Sequence, residues 1–229
     1  MLKIDKPQEF FMALIEKAKN MTSSGHQMLD ARWESEGIDK RNSHYRRPYY
    51  RFCQELVKTT KPGLVVELGI DEGDCSGHFA SGNSKTTVLG VDVHKDNEYP
   101  SQRCRMMETQ FPNFKYLRGW TWDRLEDVKK FPPIDILYID SWHSYDYFSK
   151  DWNDYAPLLN NYSIVLVDDL YSSDDELGGP LKAWNQIQAE WKYIDHTMNP
   201  AVPFGIMINP NKNFKLKYTK QSYMPQGPK

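Results

Sequence analysis

Apolar positions follow two rhythms along this chain. Up to about residue 60 they recur at helical spacing, with Phe11, Leu14, Ile15 and Ala18 in "QEFFMALIEKAKN" and Tyr49, Phe52 and Leu56 in "RPYYRFCQELVKTTKPG", which a Pro-Gly pair stops. These segments predict an N-terminal helical cap over residues 1–60. From residue 64 the pattern changes to short apolar runs, "LVVELG", "TTVLGVDV", "FKYLRG", "IDILYID" and "SIVLVDD", separated by helix-period stretches. Strands alternating with helices predict a parallel sheet. After the helical "GGPLKAWNQIQAEW", the segments "KYIDHT" and "FGIMINP" are joined by a linker too short for a crossover helix, so they should pair antiparallel. The expected fold class is α/β: a Rossmann-like, seven-stranded, mostly parallel sheet with helices on both faces. It should occupy residues 61–210 and be followed by a flexible tail over 211–229.

Composition narrows the class. A chain of 229 residues suits one α/β core plus an extension. No apolar run approaches the length of a bilayer span, and the start "MLKIDKPQEFF" lacks the layout of a signal peptide, so a cytoplasmic protein without membrane attachment is expected. The three cysteines, Cys53, Cys75 and Cys104, are widely spaced and contain no CxxC, which points to buried free thiols. A net charge of −2 argues against a nucleic acid partner, although Arg41, Arg46, Arg47 and Arg51 cluster among tyrosines and the tail adds lysines.

The stretch "LVVELGIDEGDCSGHFA" runs from strand chemistry into a glycine-punctuated turn. The strand ends at Glu67, and Gly69, Gly73, Ser76 and Gly77 follow, a turn that lets backbone approach a ligand before a helix begins. Dinucleotide binding by G-x-G-x-x-G would put Asp71 where its second glycine belongs, crowding and repelling a pyrophosphate, and the Lys-Ser/Thr of a P-loop is missing. A ligand without phosphates, and with positive charge to suit Glu67, fits better; S-adenosylmethionine is one. The next strand ends in Asp92, about 20 residues on, where a carboxylate accepts from ribose hydroxyls.

With E-x-G-x-x-x-G standing as Glu67, Gly69 and Gly73, residues 64–95 resemble the first two motifs of the class I S-adenosylmethionine-dependent methyltransferases. Over roughly residues 45–208, "IDILYIDSWHSYDYFSKDWNDYAPLL" and "SIVLVDDL" resemble the branch of macrocin-type sugar O-methyltransferases and cephalosporin hydroxylase-like proteins. Two departures stand out: Asn160, Asn161, Tyr162 and Ser163 replace a Pro-Gly-Gly turn, and Trp120 stands where an acidic residue often follows the glycine after the third strand. Laid on the family pattern, the expected cofactor contacts are Glu67, Gly69, Ile70, Gly73, Ser76, Asp92, Val93, Gly119, Trp120 and Asp140.

Asp140 closes one strand, and Asp168 with Asp169 closes its expected parallel neighbour, about 4.8 Å away at the same edge. Like charges that close call for a cation, for protonation or for capping roles, and oxygen ligands suit Mg²⁺ or Mn²⁺. The resemblance implies the same, since Mg²⁺-dependent small-molecule O-methyltransferases carry metal carboxylates at positions matching Asp140, Asp168 and Asp169. The alternative is that Asp168 or Asp169 caps the turn before the acid-rich "LYSSDDELGG". His143, three residues past Asp140, is the candidate general base, and Asp140 joins it as a catalytic residue. Trp120, Trp122, Trp142 and Tyr145 form a candidate aromatic wall, with core packing as the rival role.

The expected activity is methyl transfer from S-adenosylmethionine, assisted by Mg²⁺, to a hydroxyl of a small molecule, first a sugar or glycosylated natural product. A nucleic-acid methyltransferase is the rival, but an Asp/Asn-Pro-Pro-Tyr motif is missing where the chain has "DSWH". A second rival is a nucleoside- and metal-binding protein of the cephalosporin hydroxylase-like group without methyl transfer. Assembly into a homo-oligomer is compatible with either.

Overall fold

The computed structural model describes residues 3–26, 29–30, 48–172, 178–198 and 203–218. Arg41, Arg46, Arg47, residues 173–177 of the acid-rich turn and residues 219–229 of the tail lie outside them.

Seven strands form one sheet in the order β3-β2-β1-β4-β5-β7-β6. They are β1 (Leu64–Leu68), β2 (Thr87–Asp92), β3 (Phe114–Arg118), β4 (Ile134–Ile139), β5 (Leu159–Val167), β6 (Ala189–Asp195) and β7 (Phe204–Pro210). The first five run parallel, while β7 is antiparallel to β5 and β6 is antiparallel to β7. The closing hairpin follows from the short linker, as the sequence implies.

Side-chain alternation sorts the sheet into two apolar layers. Val65, Val88, Ile136, Tyr138, Ile164 and Leu166 face one side. There they meet α1 (Pro7–Asn20), α2 (Pro48–Thr60), α3 (Asp74–Gly82) and α4 (Tyr99–Gln110). Leu64, Val66, Leu68, Leu137, Ile139, Val165 and Val167 face the other. The short α5 (Leu125–Val128), α6 (Tyr145–Tyr155) and α7 (Gly179–Gln186) cover that face. Burying residues such as Phe52, Phe79 or Trp152 contributes about 1.5–3 kcal/mol each. Phe11, Leu14, Ile15 and Ala18 of α1 and Phe52, Cys53 and Leu56 of α2 join the same buried cluster as the strands, so these helices are a wall of the sandwich.

From β1 the chain works outward to β2 and β3, then returns to place β4 on the other side of β1. The strand order thus reverses between β1 and β4, and loops on either side of that point leave in opposite directions. A crevice opens there at the carboxyl ends. All three cysteines are free and buried. Among the described residues, no helix is long and apolar enough to cross a membrane.

Candidate active site at the carboxyl edge of the sheet

A cavity of about 460 Å³ lies at this crevice, within the size range of small-molecule sites. Gly69, Asp71, Asp92, Val93, His94, Gly119, Trp120, Thr121, Trp122, Asp140, Ser141, Trp142, His143, Tyr147 and Asp151 contribute to its lining. Every loop after β1 to β4 is represented.

Asp92 ends β2 and organises the β1 turn. Its Oδ2 accepts from the backbone N–H groups of Ile70 at 2.8 Å and Asp71 at 2.9 Å, and its Oδ1 accepts from Val93 N–H at 2.6 Å. His94 Nε2 stands 3.5 Å from both Asp71 Oδ1 and Asp92 Oδ1. The turn is tight: Asp71 takes φ +44°, and Gly69 takes φ +80° where a Cβ would come within 2.2 Å of the Asp140 carbonyl oxygen. Gly69 is therefore required by the neighbouring strand end as well as by the turn.

Four expected cofactor residues are placed elsewhere. Glu67 shares the face of Val65, is 1% exposed, and accepts from Ser76 Oγ on α3 instead of facing the cavity. Burial holds its carboxyl well above the usual range, against the opposing effect of that hydrogen bond, and the pair links β1 to α3. Ser76 and Ile70 are buried with it, and Gly73 caps α3 at φ +80°, where an added Cβ would meet the Met107 sulfur at 3.0 Å. These four build the floor beneath the turn; Gly69, Asp92, Val93, Gly119, Trp120 and Asp140 line the cavity itself.

At the ends of β4 and β5, Asp140, His143 and Asp169 come together. His143 Nε2 is 3.7 Å from Asp140 Oδ1 and 3.5 Å from Asp169 Oδ2, and one ligand atom from each residue lies within 4.8 Å of the others. Asp169 reaches the cluster by taking φ +51° just past the end of β5. Asp168 lies outside that cluster but is joined to Asp140 through Tyr138, whose hydroxyl is 3.4 Å from Asp140 Oδ2. It is 1% exposed, its Oδ2 accepts from the Tyr138 hydroxyl at 3.1 Å, and its Oδ1 accepts from the Asp169 N–H at 2.9 Å. Burial, and then the charge of Asp168, push Asp140 up to about 8.

Residues outside the expected set complete the site. Asp151 on α6 is buried against the cavity, accepting from Ser141 Oγ at 2.5 Å and from the Thr121 hydroxyl, and thereby ties the loops after β3 and β4 together. Burial raises its carboxyl to about 6 despite both hydrogen bonds. Of the aromatic wall, Trp120, Trp122 and Trp142 line the cavity with Tyr147, whereas Tyr145 is buried with its hydroxyl 3.3 Å from Gln186. Tyr147 and Asp151 are four residues apart, one face of α6, and that spacing was the available signal.

Residues 66–170 match a methyltransferase domain family. A curated relative, uncharacterized protein y4gI of Sinorhizobium fredii (strain NBRC 101917 / NGR234), is 26% identical over 167 residues, 68% of this chain; the chain spans 18% of that protein's length. Among solved structures, cofactor-bound Rv0187 from MTB matches with a TM-score of 0.59 at 13% identity, covering 90% of each chain. An O-methyltransferase from Bacillus cereus in complex with SAH matches at 0.58 and 14% identity, covering 86% of this chain and 90% of that one. CalS11, a calicheamicin methyltransferase, matches at 0.56 and 14% identity, covering 91% and 94%. The match over residues 66–170 is to a methyltransferase domain, and the chain shares the fold of solved S-adenosylmethionine-dependent O-methyltransferases.

Proposed function

We propose that the protein is an S-adenosylmethionine-dependent O-methyltransferase that uses Mg²⁺ or Mn²⁺ and acts on a hydroxyl of a small molecule, first a sugar or glycosylated natural product. The observation that carries this reading is the Asp140–His143–Asp169 cluster opening into the same cavity as Asp92 and Gly69. Two carboxylates and an imidazole that crowd one another, with a third carboxylate behind them, are a donor set that a hard divalent cation relieves. Asp140 and Asp169 would hold the ion, with Asp168 and Tyr138 supporting Asp140 from below. When bound, the cation supplies positive charge that acidifies a nearby alcohol.

The chain's own residues supply binding and proton transfer. Asp92 lines the cavity and would accept from ribose hydroxyls, while Val93 and Trp120, which line it too, would flank the adenine. His143 Nε2 accepts the hydroxyl proton as the acceptor oxygen bonds to the methyl carbon and the carbon–sulfur bond breaks, leaving S-adenosylhomocysteine, a methyl ether and a protonated His143. Asp151 keeps the loops carrying Thr121 and Ser141 at fixed distance while this occurs. The cavity lining gives no support to a nucleic-acid substrate, since it includes no lysine or arginine among the described residues.

Titration calorimetry with S-adenosylhomocysteine, with and without Mn²⁺, tests the reading. Binding of both ligands in the wild type, with Mn²⁺ binding lost in Asp169→Ala and S-adenosylhomocysteine binding kept, is expected. A protein that binds neither would overturn it. One that binds both yet methylates no hydroxyl would instead be a nucleoside- and metal-binding protein.

A further inference from the structure

The lining of the cavity pairs a run of aromatic rings with a one-sided charge. Trp120 and Trp122 stack with centroids 5.0 Å apart and planes 4° from parallel. Trp122 leads to Tyr147 at 6.0 Å, and Tyr147 stacks on Trp142 at 5.7 Å and 27°. The first two rings follow β3, on the Asp92 side; Trp142 follows β4 and directly precedes His143 in the chain. Trp142 is 59% exposed, an unusual position for the largest apolar side chain.

Charge is the second observation. Asp71, Asp92, Asp140 and Asp151 line the cavity, Asp169 joins the cluster at its edge, and His94 and His143 are the basic groups among the described lining residues. A divalent cation at the β4–β5 end offsets two carboxylates and leaves the remainder. Among the described lining residues, a phosphate entering here meets acidic side chains without the arginine forks or lysines that phosphate recognition uses.

We infer that the acceptor is a phosphate-free glycoside whose ring lies on Trp142, which sets specificity against nucleotide-linked sugars and coenzyme A esters. This rests on the methyl-transfer reading above. The C–H face of a pyranose is apolar and slightly positive, complementary to the negative face of an indole, while its ring hydroxyls project sideways, one of them toward the neighbouring His143. An acceptor carrying an amine is tolerated, because the surrounding carboxylates attract it.

Matched ligand pairs isolate the two elements. Saturation-transfer NMR on the full chain, held with S-adenosylhomocysteine, would compare methyl glycosides of several hexoses and deoxyhexoses with the nucleotide-diphosphate form of each sugar. At least one methyl glycoside should bind, at least tenfold more tightly than its nucleotide-linked form. Trp142→Ala should weaken that binding at least tenfold and Trp142→Phe should restore part of it, with S-adenosylhomocysteine affinity unchanged in both. Tighter binding of the nucleotide-linked sugars, no glycoside binding, or an indifferent Trp142→Ala variant overturns the inference. Because S-adenosylhomocysteine binding is measured separately, its loss in the wild type would count against the methyl-transfer reading instead.

Discussion

The two halves of the sheet edge treat their carboxylates in opposite ways. At the β1–β2 end, Asp92 accepts from four backbone N–H groups and stands beside the His94 ring, so its charge is accommodated before any ligand arrives. At the β4–β5 end, Asp140 is buried beside Asp168 and pushed up to about 8, against the opposing effect of the neighbouring His143 ring. The first half is a finished cradle for a polar, uncharged sugar edge. The second is electrostatically unfinished and becomes stable as a set of carboxylates when positive charge is added. Such a contrast within one cavity separates binding from chemistry.

Removing the base should break the contrast most severely. His143→Ala is expected to lower kcat by about 10² to 10⁴, as for a positioned general base, with S-adenosylhomocysteine affinity within about twofold of wild type. Steady-state kinetics beside calorimetry checks this. Equal losses in both measurements would mean that His143 shapes the cofactor half too.

Acidity offers a sharper test of the unfinished half. A cation must displace the proton that Asp140 holds below about 8, so Mn²⁺ affinity should rise about tenfold per pH unit between pH 6 and 8 and level off above it. Calorimetry in buffers of different ionisation enthalpy should report close to one proton released at pH 7. A pH-independent affinity would remove Asp140 from the cation site.

In the finished half, Asp92→Ala should weaken S-adenosylhomocysteine by about 1–3 kcal/mol, because ribose hydroxyls lose a charged acceptor and the β1 turn loses its hydrogen bonds. Mn²⁺ affinity should stay unchanged. Affinity measured for both ligands distinguishes a local loss from general unfolding.

Much of this was legible in residue types and spacing, but the direction of each side chain was not equally so. The apolar runs and the short linker before "FGIMINP" are enough for seven strands and the closing hairpin, because period-two burial and loop length are local properties. Asp140, Asp92 and Gly69 follow from strand ends. Alternation also separates adjacent residues: in "SIVLVDD" Asp168 continues the face of Ile164 and Leu166 while Asp169 lies beyond the strand, so the pair could not converge on one point as expected. Glu67 continues the face of Val65 toward α3 in the same way. Asp151 is a different case. Its role depends on Thr121 and Ser141 arriving from two loops that only the folded sheet brings together, and no local pattern announces that.

Asp151 also yields the smallest and most specific effect, one on stability. Its carboxyl is raised from an ordinary 3.8 to about 6 by burial, so the folded state holds a proton that the unfolded chain releases near pH 4. The stabilisation tied to that proton is complete below the unfolded value and is lost as pH rises through about 6, after which the carboxylate is ionised in both states. Asp151→Asn removes this titration while Ser141 and Thr121 keep a polar partner. Relative to wild type, the variant should therefore gain on the order of 2 kcal/mol between pH 4 and pH 7, measured by urea unfolding at each pH. A variant whose stability tracks wild type across that window would mean that Asp151 is already ionised in the fold and held by its two hydroxyl donors. A variant that gains stability but binds S-adenosylhomocysteine more weakly would show that the acid is kept for the loops it joins and not for the fold.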